Sequence, residues 1–235
     1  MKKHSKIIVL VLSVALVIAG LALSVSADNG TPGATYSGGE GGLLSATTLE
    51  AAFAAAPDND LITLTGDTTV TAPIPVVNRA TLNLNGYTLT VNAEKLFTVS
   101  ENVSLDIVGT GTINLDGMLA EYSESVNADF SLVGSGNGIN VNHNGSKKTT
   151  VTKARSGIFE FKNANIVATP NTDTAFTMPG GASVTYSMTG VNIDTTGSTA
   201  VDSNSGVFYI ATGGHLNLKN CNIDTSGVVV EIQSQ

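Results

Sequence analysis

The strongest constraint on the fold is a stretch that recurs. "YSMTGVNIDTTG" at residues 186–197 returns thirty residues later as "LNLKNCNIDTSG" at 216–227. Longer windows share one layout: "FTMPGGASVTYSMTGVNIDTTG" (176–197) and "FYIATGGHLNLKNCNIDTSG" (208–227). "FEFKNANIVATP" (159–170) matches its second half, and residues 97–117 match it loosely. Each unit reads as an aromatic-led strand, a Gly or Asn turn, an alternating strand, a tight corner and then Asn-Ile. Asn165, Asn192 and Asn222 fall in one column and Ile166, Ile193 and Ile223 in the next, at spacings of 27 and 30 residues. A period in the twenties built from short strands and irregular corners is the mark of a solenoid, in which each strand pairs with its counterpart one coil away.

The strands themselves are legible by alternation. "LITLTGDTTV" sets Ile62 and Leu64 against Leu61, Thr63 and Thr65, and "ATLNLNGYTLTV" sets Leu82 and Leu84 against Asn83 and Asn85 before turning at Asn85-Gly86. Period-two alternation buries one face of a strand. Thr, Ser, Asn, Gly and Val are abundant, Trp is absent, and charged residues make up 13% of the chain, a composition suited to strands and tight turns. The predicted fold is all-β: a right-handed parallel β-helix in which Leu216, Leu218, Cys221 and Ile223 point into apolar columns. A β-sandwich is the alternative, but it does not require recurring Asn-Ile columns.

Three segments precede or open this solenoid. Lys2, Lys3 and Lys6, an uncharged apolar run over residues 7–23, and Val25-Ser26-Ala27 follow the three-part pattern of a secretory signal spanning residues 1–27. The run of 17 residues is also at the lower edge for a membrane anchor, roughly 17–25. Gly20 and the small residues at the exit favour cleavage before Asp28. Residues 28–46, with "NGTPGATYSGGEGG", read as a flexible Gly-rich leader. The β-helix domain is assigned to residues 47–235. It opens on a short capping helix over "TTLEAAFAAAPDND", with Thr47 or Thr48 as N-cap, Glu50 placed for a capping box with Thr47, and Pro57 and Asp58 as the stop. Too short to persist alone, this helix is expected to lie on the open end of the sheet stack. At the other end "VVVEIQSQ" begins what reads as another coil, in register with "VFYIATGG", and stops, so a truncated chain is expected.

Charge narrows the partners. Removing three lysines with the signal leaves 8 basic and 19 acidic groups, a net charge of −11. Such a chain offers no basic footprint for nucleic acid, nor for an anionic membrane after cleavage. Cys221 is the only cysteine, so no intramolecular disulfide forms.

The segment "LITLTGDTTVTAPIPVVNRATLNLNGYTLTV" (61–91) resembles the opening coils of pectin-lyase-like, right-handed β-helix domains in secreted and surface proteins of Gram-positive bacteria. The matching residues are Ile62-Thr63-Leu64-Thr65, Asp67, Thr68 and the run 82–90. About 30 residues carry the resemblance, and the rest of the chain shares only the repeat style. It implies a fold, a cell-surface or secreted location, and adhesive or carbohydrate-related roles.

That fold also hosts lyases and hydrolases, whose chemistry has requirements. Glycoside hydrolysis needs two carboxylates across one cleft. "NTD" at 171–173 and "GGH" at 213–215 occur, but the Asp-Asp pair, a complete Gly-His-Gly and Arg-x-Lys do not. Arg79 and Arg155, the only arginines, have no carboxylate cluster beside them in sequence. His143 and His215 read as surface turn residues, and Cys221, in the place of Val191 and Ala164, as a small buried residue. No catalytic or cofactor-binding residue is assigned. Asp194 and Asp224 share a column on successive coils and are the one candidate metal site, for calcium, although Val167 breaks the column one coil earlier. Stacked Asn side chains can hydrogen-bond along the axis. The expected function is a non-catalytic, exported structural or adhesive module, with cell-wall or host glycans as possible partners. The alternatives are the N-terminal fragment of a polysaccharide lyase or glycoside hydrolase, and a passive spacer.

Overall fold

A computed structural model describes residues 33–38, 42–122, 128–143, 152–153, 156–168, 174–178, 183–197, 206–210 and 213–232. The chain divides into Met1–Gly30 and Thr31–Gln235, and every described residue belongs to the second unit. The signal segment therefore lies outside the described residues, as do "NTD" at 171–173 and Arg155.

The fold is a parallel β-helix whose coils carry three strands each. Level 1 comprises Asp60–Leu64, Thr68–Val70 and Ile74–Val76; level 2 comprises Ala80–Asn83, Thr88–Val91 and Lys95–Val99. In levels 3 and 4 the first two strands merge, giving Leu105–Leu115 with Met118–Tyr122, then Ala128–His143 with Thr152–Lys153. Level 5 is Ser156–Lys162, Ala164–Ala168 and Thr174–Met178. Level 6 is Ser183–Thr189, Asn192–Asp194 and Gly206–Ile210, and level 7 is His215–Lys219, Asn222–Asp224 and Val228–Ile232. The first and second strands of successive levels pair in parallel along the whole stack. The third face divides into a four-stranded sheet through level 4 and a three-stranded sheet over levels 5 to 7.

Side-chain alternation turns this register into a core. The first face sends in Ile62, Leu82, Ile107, Leu132, Phe161 and Met188, all buried and in register. The coil lengthens along the axis: 20 residues separate the register partners Asp60 and Ala80, and 30 separate Tyr186 and Leu216. A wider coil has more interior to fill, and voids are costly. Accordingly, aliphatic residues dominate levels 1 to 3, where Phe97 and Tyr122 are the buried aromatics, whereas aromatic residues cluster in levels 4 to 6. Phe130, Phe159, Phe161, Tyr186, Phe176 and Phe208 form one chain of ring contacts at 5.1–6.3 Å. Such contacts add about 0.5–1.5 kcal/mol per pair to simple burial.

The corner between the first and second faces explains the recurring Asn and Gly. Asn163, Gly190 and Asn220 stand one level apart with φ of 47°, 63° and 52°. This is left-handed backbone, which Asn tolerates and Gly adopts at no steric cost. Their N–H groups continue the ladder, Asn163 donating to the Thr189 carbonyl (3.0 Å) and Gly190 to that of Lys219 (2.9 Å). Asn85-Gly86, a pair that usually closes a hairpin, here also turns a corner. Tyr87 N–H bonds the Leu84 carbonyl across the turn (2.9 Å), while the flanking strands pair with other levels.

The N-terminal end is closed twice. The helix Leu49–Ala55 buries Leu49, Ala52 and Phe53, and the Phe53 ring lies 5.1 Å from that of inward-facing Phe97. Its cap is Thr48, whose hydroxyl accepts from Ala51 N–H, so Ala51 rather than Glu50 occupies the third helical position and the Thr47–Glu50 box does not form. Ala56 is extended ahead of Pro57, as a residue before proline prefers. The second closure comes from residues 34–37 and 43–46, inside the segment read as a Gly-rich leader. Ala34–Ser37 and Leu43–Ala46 form an antiparallel hairpin, and its first strand pairs antiparallel with Asp60–Leu64 of level 1. The hairpin satisfies backbone groups that the first strand of the stack would otherwise leave unpaired. Asp60 fastens it: this buried carboxylate accepts from the Ser37 N–H (2.9 Å), the Ser37 hydroxyl and the Leu61 N–H (2.8 Å).

At level 7, Leu216, Cys221 and Ile223 are half-buried and pack against the core. Leu218, expected in an apolar column, is 41% exposed, because it stands in the last described level of the stack.

Candidate functional site: the outward second face

Parallel register places outward residues of the second face in two straight columns. The first runs Thr88, Thr112, Asn140, Asn165, Asn192, Asn222. The second runs Thr69, Thr90, Asn114, Asn142, Val167, Asp194, Asp224. Neighbours in a column are about 4.8 Å apart, the spacing of paired strands. Val167 excepted, every member carries a hydroxyl, amide or carboxylate.

The amides are joined along the axis. Asn192 Nδ2 donates to Asn165 Oδ1 (2.8 Å), and Asn165 Nδ2 donates to Asn140 Oδ1 (2.9 Å). In the second column Asn142 Nδ2 donates to Asn114 Oδ1 (3.0 Å). All three bonds point the same way, each amide donating to the level before it. A planar amide held by its neighbours presents its remaining donors and acceptors in fixed directions.

Of the sequence-predicted ladder, Asn165, Asn192 and Asn222 are in register, and the bonded part extends back to Asn140. Among the described residues no ladder bond reaches Asn222. The extension through Asn140, and the whole Asn114–Asn142 rung, escape sequence alignment. The register jumps between Gly134 and Ile139, where level 4 spends five residues on a step that level 3 makes in two, from Gly109 to Gly111. That insertion hides the equivalence of "TINL" (112–115) and "INVNH" (139–143), whose Asn residues are the only signal.

Asp194 and Asp224 are register partners and both are exposed, with Val167 next in their column. The Asp194 carboxylate accepts from the Thr196 hydroxyl (2.7 Å) and the Thr196 N–H (2.9 Å). These bonds, the hydroxyl foremost, hold its carboxyl below the usual range. One carboxylate oxygen, Oδ1, is thus already engaged in its own turn. No group of three or more His, Cys, Asp or Glu that could hold a metal occurs among the described residues.

The remaining candidates are dispersed. Arg79 is exposed, and its backbone N–H donates to the Asp58 carboxylate (2.9 Å). Cys221 is half-buried, with its thiol directed to the Lys219 carbonyl (3.5 Å). His215 is exposed as expected. His143 is not: it is fully buried, an inward residue between Leu115 of level 3 and Ala168 of level 5. As a sequence "NVNHNG" reads as a turn, because Asn and Gly flank the histidine. In the parallel register Asn140 and Asn142 face outward, and alternation turns His143 in.

No helix among the described residues is long and apolar enough to cross a membrane. The chain matches no protein-family model, curated protein or solved structure at a significant level.

Proposed function

We propose that the chain is a non-catalytic, exported β-helix module of a bacterial cell-surface or secreted protein, with a structural or adhesive role. Its outward second face would contact glycans of a cell wall or host. The observation that carries this reading is the pair of aligned columns running from Thr88 to Asn222 and from Thr90 to Asp224. A hydroxylated polymer lying along the axis meets donors and acceptors at a constant step, and the amides are oriented in advance by their own ladder, which lowers the ordering cost of binding. The signal-like residues 1–27 and the acidic balance support export and argue against a polyanionic partner. The resemblance of residues 61–91 to pectin-lyase-like coils of Gram-positive surface proteins is of the same kind: it supports a location and a ligand class.

The test is a glycan array probed with the purified chain and with the Asn165→Ala, Asn192→Ala double variant. Binding that the double variant loses supports the reading. Silence across the array leaves a passive spacer and ends the glycan claim. For export, expression in a Gram-positive host followed by N-terminal mass analysis should give a chain starting at Asp28; an intact Met1 terminus would refute a cleaved signal.

A further inference from the structure

His143 is a buried titratable group in an otherwise aliphatic column. The inward column of the second face reads Val70, Val91, Leu115, His143, Ala168, each in register with the next. Every other member is aliphatic, and His143 is completely inaccessible to solvent. An imidazole is accommodated there because level 5 offers the small Ala168 beside it. Its register neighbours Leu115 and Ala168 do not titrate. Burial acts first, against the charged form; the backbone at Gly117 and at His143 itself and, from level 3, the exposed Asp116 carboxylate favour it. Burial outweighs them and holds the imidazole below its usual range.

Solenoid levels touch only their neighbours, so a level can open without the rest of the stack. We propose that His143 is an acid-sensitive joint: protonation of its imidazole opens the second-face strand of level 4, residues 139–143, and loosens level 5 above it, while levels 1 and 2 stay closed. The sign follows from linkage. A base depressed in the folded state binds its proton more readily once the strand has opened. Closure is therefore fully favoured above the ordinary histidine range and is lost as pH falls through that range toward the folded value. Asp194, held below the usual carboxylate range, acts in the same direction but only at lower pH, below the histidine range.

The experiment is hydrogen exchange by mass spectrometry on the full chain at pH 7.5 and pH 5, with protection corrected for intrinsic exchange, alongside NMR titration of the histidine ring protons. Protection over residues 139–143 and 164–168 should fall by about tenfold at the lower pH, with residues 60–91 unchanged. In His143→Leu, and in His143→Met should the branched side chain fail to pack, the fall should vanish. His143 should titrate below the ordinary histidine range. Equal protection at both pH values, an equal fall in the folded variants, or a His143 titration within the ordinary histidine range would each overturn the proposal.

Discussion

Asn165 is the one amide that both gives and receives a ladder bond, and its replacement tests the physics of the outward face. Asn165→Ala removes the bond to Asn140 and the bond from Asn192 together. A hydrogen bond contributes about 0.5–1.5 kcal/mol net, and one that water can replace lies at the low end. Two exposed bonds therefore amount to about 1 kcal/mol. Asn192→Ala removes one bond and should cost about half of that. Asn222→Ala removes none described and should stay within about 0.5 kcal/mol of the parent. Ala and Asn are both poor strand formers, so propensity does not separate the three variants. For a chain of this size 1 kcal/mol lowers Tm by about 2–4 °C. Melting followed by far-UV circular dichroism should rank the losses as Asn165, Asn192, Asn222. Solenoid levels can unfold separately, so urea titration with tyrosine fluorescence should accompany it. Equal losses at Asn165 and Asn222, or none at either, would show that the ladder is a passenger of register and stabilises nothing.

Three further substitutions or additions address other parts of the molecule. Asp60→Ala strips the hairpin of its carboxylate acceptor, and limited proteolysis should cut near residue 40 within the folded protein; an uncut hairpin would show that pairing with level 1 suffices. Phe161→Ala opens a cavity among Phe130, Phe176 and Tyr186, with an expected loss of about 3–5 kcal/mol by denaturant titration; a loss under 1 kcal/mol would mean the aromatic cluster closes over the gap. Millimolar calcium should raise Tm if Asp194 and Asp224 are bridged, and Asp194→Asn should abolish the rise; an unchanged Tm in the parent removes the calcium column.

Sequence alone was sufficient where a periodic rule acts. Strand alternation and the 27- and 30-residue repeats specified a parallel β-helix, the Asn-Ile columns and the place of the capping helix, because register in a solenoid follows from local pattern. Tertiary structure decided whatever depends on a distant neighbour. Residues 34–46 look like a tether until the unpaired edge of level 1 is present to receive a strand and Asp60 to hold it. Asn114, Asn140 and Asn142 belong to the ladders only once the level 4 insertion is folded out of the stack. His143 sits in a polar, turn-like string, yet parallel pairing with Leu115 and Ala168 fixes its direction and buries it. Composition cannot announce that, since direction in a strand is set by the partner's register and not by the residue's own polarity.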